Sequence, residues 1–227
     1  MSDEPASSLT PAARASLRTV LDLLAEERAS VSSVTDERAW RVHVADSLTG
    51  LEIPELRQAR RIADIGSGAG FPGLVLAVAL PTAQVDLIES VGRKCEFVQR
   101  AADRAKIPNA QALNARSEDL ATEEERREAY DVVTARAVGR LSTLAELASP
   151  LLRDGGVLIA WKGKRDEDEE SQLSRAAASL AMRPEQILDV GAGAGSKHRH
   201  LHVIRKTGPT PSDLPRRPGI AKKRPRG

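Results

Sequence analysis

The residues ADIGSGAGFPG at 63–73 carry the strongest chemical signal in the chain. They follow an apolar stretch, RIADI, and open onto an apolar run that Pro81 stops. Gly66, Gly68 and Gly70 let the backbone turn tightly and approach a ligand with no side chain in the way. The amides of a following helix present the positive end of a dipole to whatever binds. Gly68, Gly70 and Gly73 also satisfy GxGxxG, the dinucleotide fingerprint, but that match alone is weak. Glu89 closes the next apolar stretch, QVDLIES, where a carboxylate suits ribose hydroxyls. The chemistry on offer is the grip of a nucleoside cofactor.

Three features favour S-adenosylmethionine over a dinucleotide. Asp64 stands two residues before Gly66, giving an acidic-x-Gly-x-Gly-x-Gly pattern that resembles class I methyltransferases; there the acid engages the ligand's amino-acid end. Gly66 falls too early for the dinucleotide frame. The later stretch YDVVTA opens on Tyr130-Asp131, an acidic start frequent in methyltransferase strands. A second glycine run, VGAGAGSKHRH at 190–200, is followed by a basic strand and no helix, so it reads as a flexible hairpin loop.

The elements that must position these residues alternate. RIADI, QVDLIES, AQALNA, YDVVTA and GGVLIAWKG read as strands. Between them, helices are expected over Phe71 to Leu80, Gly92 to Lys106, a charged stretch through about Arg127, and Leu141 to Leu152. A helix then follows the acidic run Asp166 to Glu170 and reaches about Met182. EQILDV and HLHVIRK close the chain as an antiparallel pair. Strands alternating with helices imply a mostly parallel sheet covered on both faces, a Rossmann-like α/β fold of the class I S-adenosylmethionine-dependent methyltransferase type. Ahead of it, Thr10-Pro11 reads as a cap and first helical residue. Leu17, Val20, Leu21 and Leu24 repeat at helical spacing, and a second helix is expected from about Asp36 to Leu48 with Trp40, Val44 and Leu48 on one face. The expected organisation is an N-terminal helical cap over 1–60, the methyltransferase domain over 61–206, and a basic proline-containing tail over 207–227.

An apolar fraction of 41% against 29% charged excludes disorder throughout the chain. Aromatics at 2% argue against base-stacking platforms for nucleic acid. The lone cysteine, Cys95, allows no internal disulfide and fits a reducing compartment. The polar start MSDEPASSLT is no signal peptide, and Leu74 to Leu80 is too short to span a bilayer. A cytoplasmic, monomeric protein is expected. Of 34 basic and 32 acidic residues, 205–227 hold eight Lys/Arg and one Asp, leaving 26 basic and 31 acidic in the body. Such a tail favours a polyanion, unless it is only a solvated extension.

Several separate blocks, in order, carry a wider resemblance: VHVADSL, ADIGSGAGFPGL, ESVGRKCEFV, NARSEDL, YDVVTARAV, WKGK, RHLHVI and the tail TPSDLPRRPGIAKKRP. From about Ser32 to its end the chain resembles the bacterial glucose-inhibited division protein B family, methyltransferase G of the small ribosomal subunit. The resemblance implies S-adenosylmethionine as cofactor, N-7 of a guanine in 16S ribosomal RNA as acceptor, and ribosomal RNA or the 30S subunit as partner. It also implies cofactor contacts at Gly66, Phe71, Ser117, Glu118 and Arg136, with Arg136 beside the transfer site as the catalytic candidate. A second, capping role is open for Ser117-Glu118, and a structural ion pair for Arg136. Two blocks depart from the family pattern, Val42 and the serine-rich SVSSVTD, both in the cap. The same fold acting on another RNA, a protein or a small molecule is the alternative, as is a non-catalytic RNA-binding assembly factor.

The machinery of other methyl acceptors is missing. Guanine N-7 has an in-plane lone pair and no proton, so alignment and desolvation suffice without a general base. Where amino-group enzymes place [Asn/Asp]-Pro-Pro-aromatic, this chain reads TARAV, and Cys95 sits in a helix rather than at a nucleophile's position. Lys162, Lys164, Arg165, Arg199, His200, Arg216 and Arg217, with Lys222 and Lys223, are the RNA-contact candidates, suited to phosphate rather than base readout. His198, His200 and His202 alternate, but too few further ligands accompany them for zinc, and no metal is expected. His43 is expected to fix the cap to the core.

Overall fold

The computed structural model describes residues 9–27, 34, 38–191 and 198–227. Helix α1 spans Pro11–Glu26, and Thr10 Oγ1 accepts from Ala13 N at 3.2 Å to cap it. Its buried Leu17, Val20 and Leu24 face the domain. A continuous helical run follows: a π-helical Trp40–Ala45, a turn of α-helix Asp46–Leu48 (α2) and a 3-10 turn Thr49–Glu52. Helix α3, Pro54–Gln58, leads into the sheet. The expected helix start near Asp36, most of SVSSVTD and the core of the second glycine run lie outside the described residues.

Seven strands form one sheet: β1 Arg61–Ile65, β2 Gln84–Ile88, β3 Ala110–Leu113, β4 Tyr130–Arg136, β5 Leu152–Lys162, β6 Met182–Asp189 and β7 His200–Lys206. Their order is β3-β2-β1-β4-β5-β7-β6. The first five pair in parallel, while β7 runs antiparallel between β5 and β6, so the expected closing pair is present. Successive side chains of a strand point to opposite faces, and β5 uses both. Val157, Ile159 and Trp161 enter one apolar core with α1, while Leu158 and Ala160 enter the other. The helices between strands are α4 Gly73–Ala79, α5 Gly92–Arg104, α6 Ser117–Leu120, α7 Leu141–Ala148 and α8 Glu167–Ala176, the last followed by a 3-10 turn, Ala177–Leu180. Among the described residues no helix is long and apolar enough to cross a membrane.

Three helices are shorter than the sequence suggests. The charged helix expected through Arg127 ends at Leu120: Glu123, Glu124 and Glu125 repel one another, and 122–128 offer no apolar stripe to bury. Helix α7 ends at Ala148 with Ser149 still helical in φ and ψ, and Pro150 has no N–H to carry the ladder further. Helix α4 begins at Gly73, with Pro72 as its flanking residue. Asp131 opens β4 as expected. It lies at the amino end of β4, away from the glycine loop, where Oδ2 accepts from Arg60 N and Arg61 N and Oδ1 pairs with Arg153 Nε at 2.6 Å. It is a structural fastener.

The segment 207–227 is not a solvated extension. Leu214 and Ala221 are buried, and a short helix α9, Ile220–Lys223, packs near α7. The fully buried Lys206 ammonium starts the fold-back, within hydrogen-bond distance of Ser149 O, Leu152 O, Thr210 Oγ1 and Glu128 Oε1. Glu128 also accepts from Thr210 N at 2.7 Å and Thr210 Oγ1 at 2.6 Å. Partial burial opposes ionisation of Glu128, but the Thr210 bonds and Lys206 overcome it and hold its pKa at about 2, below the ordinary 4.5. A depressed carboxylate stabilises the fold above its unfolded pKa and loses that contribution as pH falls through the folded value. Glu128→Gln should therefore lower Tm near pH 7 and flatten the loss of stability between about pH 4.5 and about pH 2. Thermal denaturation across that range checks this, and an unchanged slope would refute the anchor.

Candidate active site

The carboxyl ends of β1, β2, β3 and β4 converge on the glycine loop, the edge where open α/β sheets bind ligands. Ser67 N donates to Ile88 O, and Gly70 N and Phe71 N both donate to Ser67 O, which coils the loop. Gly66, Gly68 and Gly70 all have positive φ, but their surroundings differ. A Cβ on Gly66 would meet Val138 Cγ2 at 2.7 Å, and one on Gly70 would meet Leu74 at 2.5 Å. At Gly68 the nearest atom would be Gly66 O at 3.8 Å, so that turn faces open space. Ser67 Oγ beside it is buried and has no protein partner. An orphaned hydroxyl next to an open glycine marks a place kept for a polar ligand.

Asp64 does not reach that space. Its Oδ2 accepts from Gly73 N at 3.0 Å and its Oδ1 from Thr134 Oγ1 at 2.8 Å, with the carboxyl fully buried. Burial pushes its pKa up to about 6. The acid expected at a ligand's amino-acid end instead ties the loop, the start of α4 and β4 together from beneath. Glu89 also braces the loop, accepting from Gly68 N at 3.0 Å and Val91 N at 2.8 Å. Each of its oxygens keeps a second lone pair.

Two cavities flank the turn after β4. The first, about 220 Å³, is lined by Gly66, Ser90, Ser117, Glu118, Val138 and Thr143 among others. Ser117 and Glu118 open α6 but cap nothing through their side chains: Ser117 Oγ donates to Glu118 Oε2, and Glu118 Oε1 accepts from Gly219 N. The second cavity, about 360 Å³, is lined by His43, Arg136, Trp161, Lys162 and Arg199. Arg136 and Ala137 line one cavity, and Val138 lines the other.

Asp46 organises the second cavity from a buried position. Arg136 Nη1 donates to its Oδ2 at 2.9 Å, and Arg199 Nε lies 2.6 Å from its Oδ1 without hydrogen-bond alignment. Arg136 also reaches Val42 O, and its Nη2 donates to His43 Nδ1 at 3.2 Å. Because a guanidinium only donates and a carbonyl only accepts, His43 must carry its proton on Nε2, which bonds Val34 O at 2.9 Å. Burial lowers the His43 pKa, and Arg136 adds to the effect, so the ring is neutral. That ring stacks on Phe71 at 4.5 Å, and Arg136 lies over the other ring at 5.7 Å. Arg136 is thus both a structural ion pair and a cavity wall. His43 fixes the cap, as expected, and belongs to the site as well.

The cationic candidates separate into three groups. Lys162 and Arg199 line the second cavity, where Lys162 Nζ pairs with Glu169 at 2.6 Å, and His200 Nδ1 contacts the O of Gly163, another lining residue. Lys164, Arg217, Lys222 and Lys223 are exposed. Arg165 forms a two-pronged pair with Glu170. Arg216 is a correction: the buried Glu146 carboxylate takes Nε and Nη2 at 2.5 Å each, making it a tether rather than a phosphate ligand. Cys95 is buried, and no group of three His, Cys, Asp or Glu set to hold a metal occurs among the described residues.

Residues 17–201 match the family model for rRNA small subunit methyltransferase G. The chain belongs to this family. It is 39% identical over 197 residues to the ribosomal RNA small subunit methyltransferase G of Pelotomaculum thermopropionicum, covering 86% of this chain and 82% of that relative. With the Bacillus subtilis protein of the same name it shares 32% over 221 residues, 96% of this chain and 92% of the other. Among solved structures, the Bacillus cereus O-methyltransferase in complex with SAH superposes with a TM-score of 0.59 at 17% identity, covering 83% and 91% of the two chains. A SAM-dependent methyltransferase from Aquifex aeolicus gives 0.55 at 14%, covering 76% and 94%. At such identities these structures share the fold of the family member described here.

Sequence reading alone passed over Asp46. Its signal was present in VHVADSL: His43 and Asp46 are three apart, on one face of a helical turn, with the acid midway between Val44 and Leu48. Removing one partner of a buried ion pair costs about 3–5 kcal/mol. Asp46→Ala should lower Tm by about 10 °C, since two guanidinium groups then face each other without an anion. Calorimetry checks this, and a change within error would mean that solvent already screens the pair.

Proposed function

We propose that this protein transfers the methyl group of S-adenosylmethionine to N-7 of a guanine in 16S ribosomal RNA, acting in the cytoplasm. The observation that carries this reading is the pair of cavities meeting at the turn 136–138, one beside an open glycine turn and one lined by cations. The protein's relatives bear names that state the ribosomal substrate.

S-adenosylmethionine supplies an electrophilic methyl on a sulfonium sulfur. Gly68 leaves room for it, and Ser67 Oγ offers a spare hydrogen bond. The free lone pairs of Glu89 suit ribose hydroxyls, while Ser117 and Glu118 border the cavity where adenine fits. Phe71, buried with His43 stacked on its ring and Arg136 beside both, makes a rigid apolar support between the glycine loop and the second cavity. Arg136, Arg199 and Lys162 present positive charge for phosphates at the second cavity, with Lys164 exposed just beyond it and His200 a further hydrogen-bonding group.

The state of His43 supports an acceptor that needs no base. Its Nδ1 lone pair is taken by Arg136 and its Nε2 proton by Val34 O, so this neutral imidazole has nothing free to remove a proton. Guanine N-7 attacks through its own lone pair, and the site need only align and desolvate it.

With tritiated S-adenosylmethionine and 30S subunits from a strain lacking the gene, label should appear in 16S RNA as N-7-methylguanosine. Label only in protein or another RNA, or none at all, would overturn the reading. Gly68→Arg should abolish S-adenosylhomocysteine binding, because the new side chain fills space that no protein atom occupies, and should lower Tm by a few degrees, because a side chain at this positive φ is strained. Titration calorimetry reads this, and retained affinity in a folded variant would refute the placement of the cofactor.

A further inference from the structure

The cavity assigned above to adenosine is not closed by the sheet and its loops alone. Gly219, Ala221 and Lys222, at the start of α9, line it opposite Gly66 and beside Glu118 and Thr143. This stretch lies past residue 201, where the match to the family model ends. It is held down on its inner side. Leu214 is buried in the core formed with α7 and α8, and Arg127 donates to Leu214 O. Arg216 grips Glu146 with two 2.5 Å bonds, and Ala221 is buried with its carbonyl accepting from Thr143 Oγ1. Arg217, Lys222, Lys223 and Arg224 remain exposed along the stretch.

The contact with Glu118 matters most. Gly219 N donates to Glu118 Oε1 at 2.8 Å, and that carboxylate also borders the cavity. The same side chain therefore faces the ligand space and fastens the wall across it. A ligand that packs against this inner face binds only the docked arrangement, and so must stabilise docking by its own binding energy.

We propose that residues 214–224 form a strap that is part of the cofactor site: Gly219, Ala221 and Lys222 wall the adenosine pocket, and docking of the strap on Glu118 is linked to cofactor binding. This rests on the assignment of that cavity to the adenosine of S-adenosylmethionine. The strap is then a binding element of the chain's end, outside the sheet that defines the fold. Its exposed cations place charge on a wall of the cofactor pocket, so anything that lifts the strap lowers cofactor affinity.

Two measurements with S-adenosylhomocysteine test it. In the intact protein, saturating S-adenosylhomocysteine should slow tryptic cleavage after Lys222 and Lys223 about tenfold, as a ligand well above its Kd shifts a local opening equilibrium. An unchanged cleavage rate with the ligand bound overturns the linkage. Removing residues 219–227, which keeps Leu214 and Arg216, should weaken S-adenosylhomocysteine binding by about tenfold or more. Equal affinity in a folded truncated chain overturns the wall. Should the truncated chain fail to fold, the protection experiment on the intact protein decides alone. Intact protein that binds no S-adenosylhomocysteine overturns the assignment of the cavity itself, whereas binding without protection or loss sinks only the strap.

Discussion

Two guanidinium groups share one carboxylate in this molecule, and the geometry of the second cavity follows from that arrangement. Asp46 comes from the N-terminal helical run, Arg136 from the end of β4 and Arg199 from the residue before β7. Trp161 of β5 adds a hydrogen bond from its indole N–H to the Asp46 carbonyl. Elements far apart in sequence thus meet at one residue that is 1% exposed. An isolated buried carboxylate or guanidinium would be costly, so each element needs the others in place. One net positive charge remains when both cations are counted against Asp46, and it lies at the cavity wall. The ion pair that builds the site also gives it its sign.

A second buried acid plays a different part. Asp64 has no cation in direct contact; its two oxygens take a backbone amide and a hydroxyl. Burial then dominates and raises its pKa, whereas Glu128, less enclosed and fed by Lys206 and Thr210, moves the other way. The contrast explains why an acid at the start of a glycine loop need not touch ligand. Gly73 leaves no room for a Cβ because Asp64 Oδ2 would lie 2.8 Å away, so carboxylate and glycine fit as a pair that sets where α4 begins. The loop's shape is fixed from below, and Gly68 is left facing outward.

The sheet was legible because it is periodic. RIADI was placed to the residue, and β2, β3 and β4 within two residues, since buried parallel strands leave short apolar runs between glycines and charges. The family-defining blocks carried the chain's kinship. Less legible were features set by contacts across the chain. Nothing local in TEEERREA shows that Glu128 anchors Thr210, or that Arg127 reaches Leu214 O. Likewise Arg216 looks like any tail cation until Glu146 of α7 is seen beneath it. Charge counting places a residue on an electrostatic map but says nothing of its partner. Arg216 was read as an RNA contact for that reason, and Asp46 was missed for it.

Both cavities are finished by segments outside the parallel core. The sheet supplies the glycine loop, Glu89 and the end of β4, the parts that any member of this fold has available. What shapes the second cavity comes from the N-terminal run, through His43 and Asp46, together with Arg199 ahead of β7. One wall of the first comes from Gly219 to Lys222. Such ends can change without disturbing the strand ladder, because their anchors are ion pairs and single buried side chains rather than sheet hydrogen bonds. The core supplies the glycine-loop edge of the sheet, and the helical run through Asp46 and the stretch from Gly219 to Lys222 complete the walls of the two cavities there.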